Sequence, residues 1–133
     1  MRLIVDANIM LSAMIKDSGV RKIIISGAHE LFIPEYALQE TLMYIDLISK
    51  KNKMSRGQNG QLLSVLLNYM NLVKPSLYTG KLKEALQIMK KIDEKDTPYA
   101  ALALSIDNDG LWTADKDFDK QNKIKVWKTK DLL

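Results

Sequence analysis

Cysteine is absent from this chain of 133 residues, and histidine occurs once, at His29. No disulfide can staple the fold, and no thiolate or paired-imidazole metal site can be built within one chain. Any bound metal must therefore take oxygen ligands, which narrows the choice to hard ions such as Mg²⁺ or Mn²⁺. No apolar run approaches the roughly 18 residues of a membrane span. The opening Met1-Arg2-Leu3-Ile4-Val5-Asp6 lacks the apolar core of a signal peptide, so the expectation is a cytoplasmic protein with no membrane attachment. No repeat, low-complexity tract or linker divides the sequence, which reads as one domain over residues 1–133.

What is present is an ordinary globular composition, with 47% hydrophobic and 27% charged residues. The formal charge of +4, from 20 basic and 16 acidic residues, suits a polyanionic partner without demanding one. Short β-branched runs at Leu3-Ile4-Val5, Leu31-Phe32-Ile33, Leu111-Trp112-Thr113 and Ile124-Lys125-Val126-Trp127 read as buried strands, with Leu72-Val73 a weaker one. Between them, helical spacing predicts helices over 8–15, 20–26, 35–53, 62–70, 81–91 and 99–106. The polar, glycine-bearing stretch Lys50 to Gly60 reads as an exposed loop. The helix Leu62 to Met70 is apolar nearly all round, which fits core packing or a dimer surface. Strands alternating with helices predict an α/β layer with a parallel sheet.

In such sheets, ligands bind beyond the carboxyl ends of the strands. Asp6 follows the first strand directly and Asp115 follows the Leu111 strand, so parallel strands would put both carboxylates on one edge. Asp96 precedes Thr97-Pro98, a sufficient helix start by itself, which leaves the Asp96 carboxylate free for other work. Gathered carboxylates repel one another. A divalent cation reverses that cost, and it can activate a water and steady a leaving oxygen at phosphorus. Each residue also has a plain structural reading: Asp6 as a turn residue, Asp96 as a helix cap, and Asp115 to Asp119 as a solvated acidic turn.

The segments Leu3-Ile4-Val5-Asp6-Ala7-Asn8, Asp96-Thr97-Pro98-Tyr99-Ala100-Ala101-Leu102-Ala103-Leu104 and Leu111-Trp112-Thr113-Ala114-Asp115-Lys116-Asp117-Phe118, in that order, resemble the opening, central and closing motifs of the PIN domain family. The resemblance implies a three-layer α/β/α sandwich around a mostly parallel sheet. It implies a Mg²⁺- or Mn²⁺-dependent endoribonuclease acting through Asp6, Glu40, Asp96 and Asp115, with Asp117 a further ligand or an outer group beside the ligands. Small members resemble VapC toxins, which implies a toxin–antitoxin pair, a homodimer and an antitoxin protein as partner. Glu40 best matches the family's second acidic position, in the helix that opens near Glu35; Glu35 itself can simply favour the helix dipole. Glu40 shares a helix face with Tyr36 and Tyr44. Asn8 and Thr113 are placed to orient a carboxylate or a metal-bound water. Lys50, Lys51, Lys53 and Arg56, with Lys116, Lys120 and Lys123, are candidates for the RNA backbone, or else form a solvated basic surface. Two other readings are a non-catalytic RNA-binding or assembly module and an aspartyl-phosphate phosphatase. The second requires D-x-D, whereas Asn8 stands two residues after Asp6.

Overall fold

Strand β1 (Arg2–Val5) carries Leu3, Ile4 and Val5 with no solvent exposure. A run of apolar side chains on both strand faces suits only the middle of a covered sheet. The computed structural model, which describes residues 1–133, places it there. β2 (Glu30–Pro34) and β4 (Gly110–Trp112) flank β1, and the edges are β3 (Met70–Val73) and β5 (Val126–Trp127). The order is β3-β2-β1-β4-β5, with every pairing parallel. Successive connections move outward from β1 through β2 to β3, then return to β4 on the other side. The strand order therefore reverses between β1 and β4, and there the carboxyl ends of neighbouring strands open a crevice.

Helices α1 (Ala7–Ile15), α2 (Gly19–Ser26), α3 (Glu35–Met43), α4 (Ile45–Asn52) and α5 (Arg56–Leu67) pack together, with α1 touching each of the others. Helices α6 (Leu82–Met89) and α7 (Thr97–Ser105) form a second group, in which α7 lies against β1, β2 and β4. A short α8 (Thr129–Leu132) closes against α2. This is a three-layer α/β/α sandwich with one continuous core. No helix is long and apolar enough to cross a membrane.

Four sequence expectations require correction. The helix expected over 35–53 is two helices that break at Tyr44 (φ −102°, ψ 12°). The Thr41 hydroxyl donates to the Ala37 carbonyl at 2.8 Å, a back-bond that bends helices, and the Tyr44 N–H turns to the Thr41 carbonyl at 3.1 Å.

The loop expected over 50–60 is mostly helical. Lys50 and Lys51 complete α4, Lys53 adopts a left-handed conformation (φ 61°), and α5 begins at Arg56. A capping box between Ser55 and Gln58 starts α5. The fully buried Asn59 then ties it to α4, donating to Ser49 Oγ at 2.9 Å and to Asn52 Oδ1 at 3.2 Å. Those bonds outweigh the roughly 0.5–1 kcal/mol that each of Gly57 and Gly60 costs in a helix.

The helix expected over 62–70 ends at Leu67. It buries Leu63 and Leu66 but leaves Val65 about half exposed at 51%, and Met70 belongs to β3. The final strand is shorter than expected, spanning Val126–Trp127 alone.

Candidate active site

The backbone ladder between β1 and β4 runs on into the crevice, where the Asp6 N–H donates to the Trp112 carbonyl at 3.2 Å. Asp6 is the N-cap of α1 and is nearly buried at 5% exposure. Its Oδ1 accepts from the Asn8 N–H at 3.4 Å. Its Oδ2 accepts from the Thr113 hydroxyl at 2.6 Å and from Asn8 Nδ2 at 3.1 Å. The fully buried Thr113 hydroxyl in turn accepts from the Asp115 N–H at 2.9 Å and from Asn8 Nδ2 at 3.3 Å. Asn8 Oδ1 takes the Ala114 N–H at 3.2 Å. Asn8 and Thr113 thus clasp the ends of β1 and β4 and fix the Asp6 carboxylate.

Asp115 caps the following 3-10 turn, accepting the Asp117 N–H at 2.9 Å. Asp96 ends another 3-10 turn and stands immediately before α7. It makes no capping bond; instead the Thr97 hydroxyl donates to the Glu94 carbonyl at 2.6 Å. The Asp96 carboxylate accepts no hydrogen bond from the protein, although it is only 6% exposed. Glu40 reaches the same region from α3, with Oε1 accepting the Tyr99 hydroxyl at 2.6 Å.

The electrostatics show that these four acids share one environment. Burial is the main force raising the Asp6 carboxyl above its ordinary range; the charges of Glu40 and Asp115 add to it, and the Thr113 and Asn8 bonds oppose it. Burial likewise pushes Asp96 up to about 7, reinforced by Asp6, Asp93, Glu40 and Asp115. Tyr36 is pushed up to about 12 by burial and then by Glu40 and Asp96. None of Asp6, Glu40, Asp96 or Asp115 forms an ion pair with a lysine or arginine.

Other candidates have different partners. The Asp117 side chain is paired to Lys120 at 3.0 Å, while its N–H donates to Asp115. Glu35 acts on Tyr78 and not on Asp6. Lys50, Lys51, Lys53 and Arg56 sit at the far end of α1, where Asn52 Nδ2 donates to the Met14 carbonyl at 3.1 Å. That is about 12 Å of helix away from Asp6 at 1.5 Å per residue. Arg56 is also paired there with Asp46 at 3.4 Å. Lys116 is exposed beside Asp115.

Sequence reasoning missed three participants. Tyr99 is fully buried; besides holding Glu40 it accepts the Ala7 N–H at 3.2 Å. Its position three residues after Asp96 on a helix was the available signal. Asp93 adds charge beside Asp96. Lys128 Nζ lies 3.4 Å from the Asp115 carbonyl and 3.3 Å from Asp119, with no sequence cue beyond its charge.

Oxygen is the only donor type here, as a hard cation requires. No three of the acidic or imidazole side chains stand close enough to ligate one ion directly. The set therefore fits a hydrated ion such as Mg²⁺, which keeps several waters and takes one or two carboxylates. None of the surface clefts is lined by Asp6, Asp96 or Asp115. The largest, about 620 Å³, lies at the opposite sheet edge around Arg2, His29 and Tyr69.

Fold and rim together define a three-layer α/β/α domain with an acidic site at the switch point of a parallel sheet. Residues 4–133 match the family model described as PIN domain, and the chain belongs to the PIN domain family. PIN domains are typically nucleases and generally use divalent metals. No curated protein matches the chain.

Proposed function

We propose that this PIN domain is a Mg²⁺- or Mn²⁺-dependent endoribonuclease in which Asp6, Glu40, Asp96 and Asp115 would hold a hydrated metal, one or two of them directly and the rest through its waters. The observation that carries this reading is the convergence of four carboxylates from separate elements with no basic side chain paired to any of them. A polar set arranged in that way is stabilised by a cation supplied from outside. When bound, a divalent ion lowers the pKa of a water and neutralises the scissile phosphate.

The protein's own residues do the positioning. Thr113 and Asn8 hold Asp6 Oδ2 and link it to the Asp115 backbone. Tyr99 donates to Glu40 Oε1, leaving Oε2 available to a ligand. Asp96 accepts no hydrogen bond that would compete with a ligand, while the Asp117 side chain is paired to Lys120. Calorimetric titration with Mn²⁺ and cleavage of a labelled RNA test this assignment. Asp6→Asn should lose cleavage while keeping the folded circular dichroism spectrum, and full Mn²⁺-dependent activity in that variant would refute the assignment.

Further, the chain acts as the toxin of a toxin–antitoxin pair and forms a homodimer. Support comes from its family and from the exposed apolar side chains Leu42, Met43, Tyr44 and Leu47 around the α3–α4 break. Sedimentation velocity tests the dimer. Growth arrest on induction, abolished by Asp6→Asn, tests the toxin role.

A further inference from the structure

A cleft of about 590 Å³ with an entirely basic charged lining lies between the end of α6 and the segment after Asp115. Lys90 and Lys91 come from the turn after α6, Lys120 and Lys123 from the approach to β5, and no aspartate or glutamate lines it. All four lysines are exposed. The backbone beneath Lys120 and Lys123 is fixed by Gln121. Its Nε2 donates to the Phe118 and Ile124 carbonyls at 2.8 and 2.9 Å. Its Oε1 accepts the Lys123 and Ile124 N–H groups at 3.0 and 2.8 Å.

Both walls of the cleft adjoin segments that carry the acidic residues. On one wall, Lys120 bonds Asp117 at 3.0 Å, and the Asp117 N–H bonds Asp115 at 2.9 Å. On the other, Ile92 lines the cleft and is followed at once by Asp93 and the turn bearing Asp96. Lys90, Lys91 and Lys123 take part in no ion pair. Three unpaired cations in one concavity repel one another until a polyanion enters.

We propose that this cleft carries the backbone of single-stranded RNA to one side of the scissile phosphate, with Lys90, Lys91 and Lys123 neutralising its phosphates; this rests on the nuclease reading above. An acidic peptide would meet the same cations. However, only two of the nine lining residues are hydrophobic, which gives peptide side chains little to bury, and Lys120 on its wall is paired with Asp117, whose N–H bonds Asp115.

The test compares two triple variants of the full chain that lose equal charge: Lys90→Gln/Lys91→Gln/Lys123→Gln in the cleft, and Lys50→Gln/Lys51→Gln/Lys53→Gln at the far end of α1. Binding of a fluorescein-labelled single-stranded RNA is followed by anisotropy in EDTA from about 50 to 200 mM salt. The cleft triple should flatten the slope of log Kd against log salt by about 2, at roughly 0.7 for each phosphate that is no longer neutralised. The far-end triple should leave the slope in place. Equal flattening in both, or none in the cleft triple, overturns the proposal. So does displacement of the RNA from the unmodified protein by polyglutamate at lower charge concentration than by unlabelled RNA, which would assign the cleft to an acidic peptide. Mn²⁺-dependent cleavage by the unmodified protein is measured in parallel. Its absence removes the nuclease reading, while the anisotropy still decides whether the cleft takes RNA.

Discussion

Replacing Asp96 with asparagine should flatten the dependence of stability on pH. Asp96 keeps its proton up to about pH 7 in the folded, metal-free protein, against 3.8 for the ordinary carboxyl. Between those values the folded state holds a proton that the unfolded chain has released, so stability falls as pH rises through this window. The difference of about 3 pH units, at about 1.4 kcal/mol each, sets a ceiling of roughly 4 kcal/mol. Solvent at the open rim screens this, and we expect about half that loss. Asp6, raised for related reasons, adds a loss of the same sign. His29 acts oppositely, because its proton affinity is lowered by burial and the N-terminal ammonium and it favours folding more as pH rises toward 6.5. A His29→Asn background removes that contribution.

The assay is urea unfolding at pH 5 and pH 8 in EDTA, then with excess Mn²⁺. From pH 5 to pH 8 about 2 pH units of the window remain, so in EDTA the parent protein should be less stable at pH 8 by about 1.5 kcal/mol, and Asp96→Asn should show a clearly smaller loss. Mn²⁺ should restore the parent protein at pH 8 and do much less for the variant. Parallel pH profiles for the two proteins would refute the electrostatic picture of the rim.

Thr113→Val keeps shape but removes the hydroxyl that holds Asp6 and Asp115 together; it should cost about 1–3 kcal/mol in urea midpoint analysis and weaken Mn²⁺ binding by calorimetry. Tyr99→Phe leaves Glu40 and the Ala7 N–H without their shared partner, and should lower Mn²⁺ affinity more than it lowers the melting temperature. Gly110→Ala should destabilise by more than about 2 kcal/mol, because Gly110 has φ +140° and an added Cβ would meet the Lys125 carbonyl at 2.5 Å. Asn59→Ala should cost about 2 kcal/mol through the α4–α5 junction and leave RNA cleavage per folded molecule unchanged.

Asp6 and Asp115 were legible in the sequence because strand ends are marked by where an apolar run stops, and a parallel sheet converts that linear cue into shared position. Asp96 was legible because Thr97-Pro98 already opens α7 without it. Glu40 became distinguishable from Glu35 only through the Tyr99 hydroxyl, a contact between residues 59 positions apart that no local pattern encodes. The segment 50–60 misled for a related reason. Its glycines and lysines favour a loop locally, but the buried Asn59 draws its stability from Ser49 and Asn52 across a helix pair. The break at Tyr44 hinges on a threonine back-bond that amphipathic periodicity does not register. Lys90 and Lys91 join Lys120 and Lys123 only once the chain has folded.

The amides of Asp6 and Thr113 belong to the sheet's own hydrogen-bond network, donating to Trp112 and Trp127. Asp6 is therefore anchored at the centre of the sheet and Thr113 at its short edge strand β5, and a packed central strand opens late. Heat inactivation should follow global unfolding with no earlier step, and the Asp6 amide, bonded to Trp112 at the sheet centre, should exchange more slowly than the Thr113 amide at the edge.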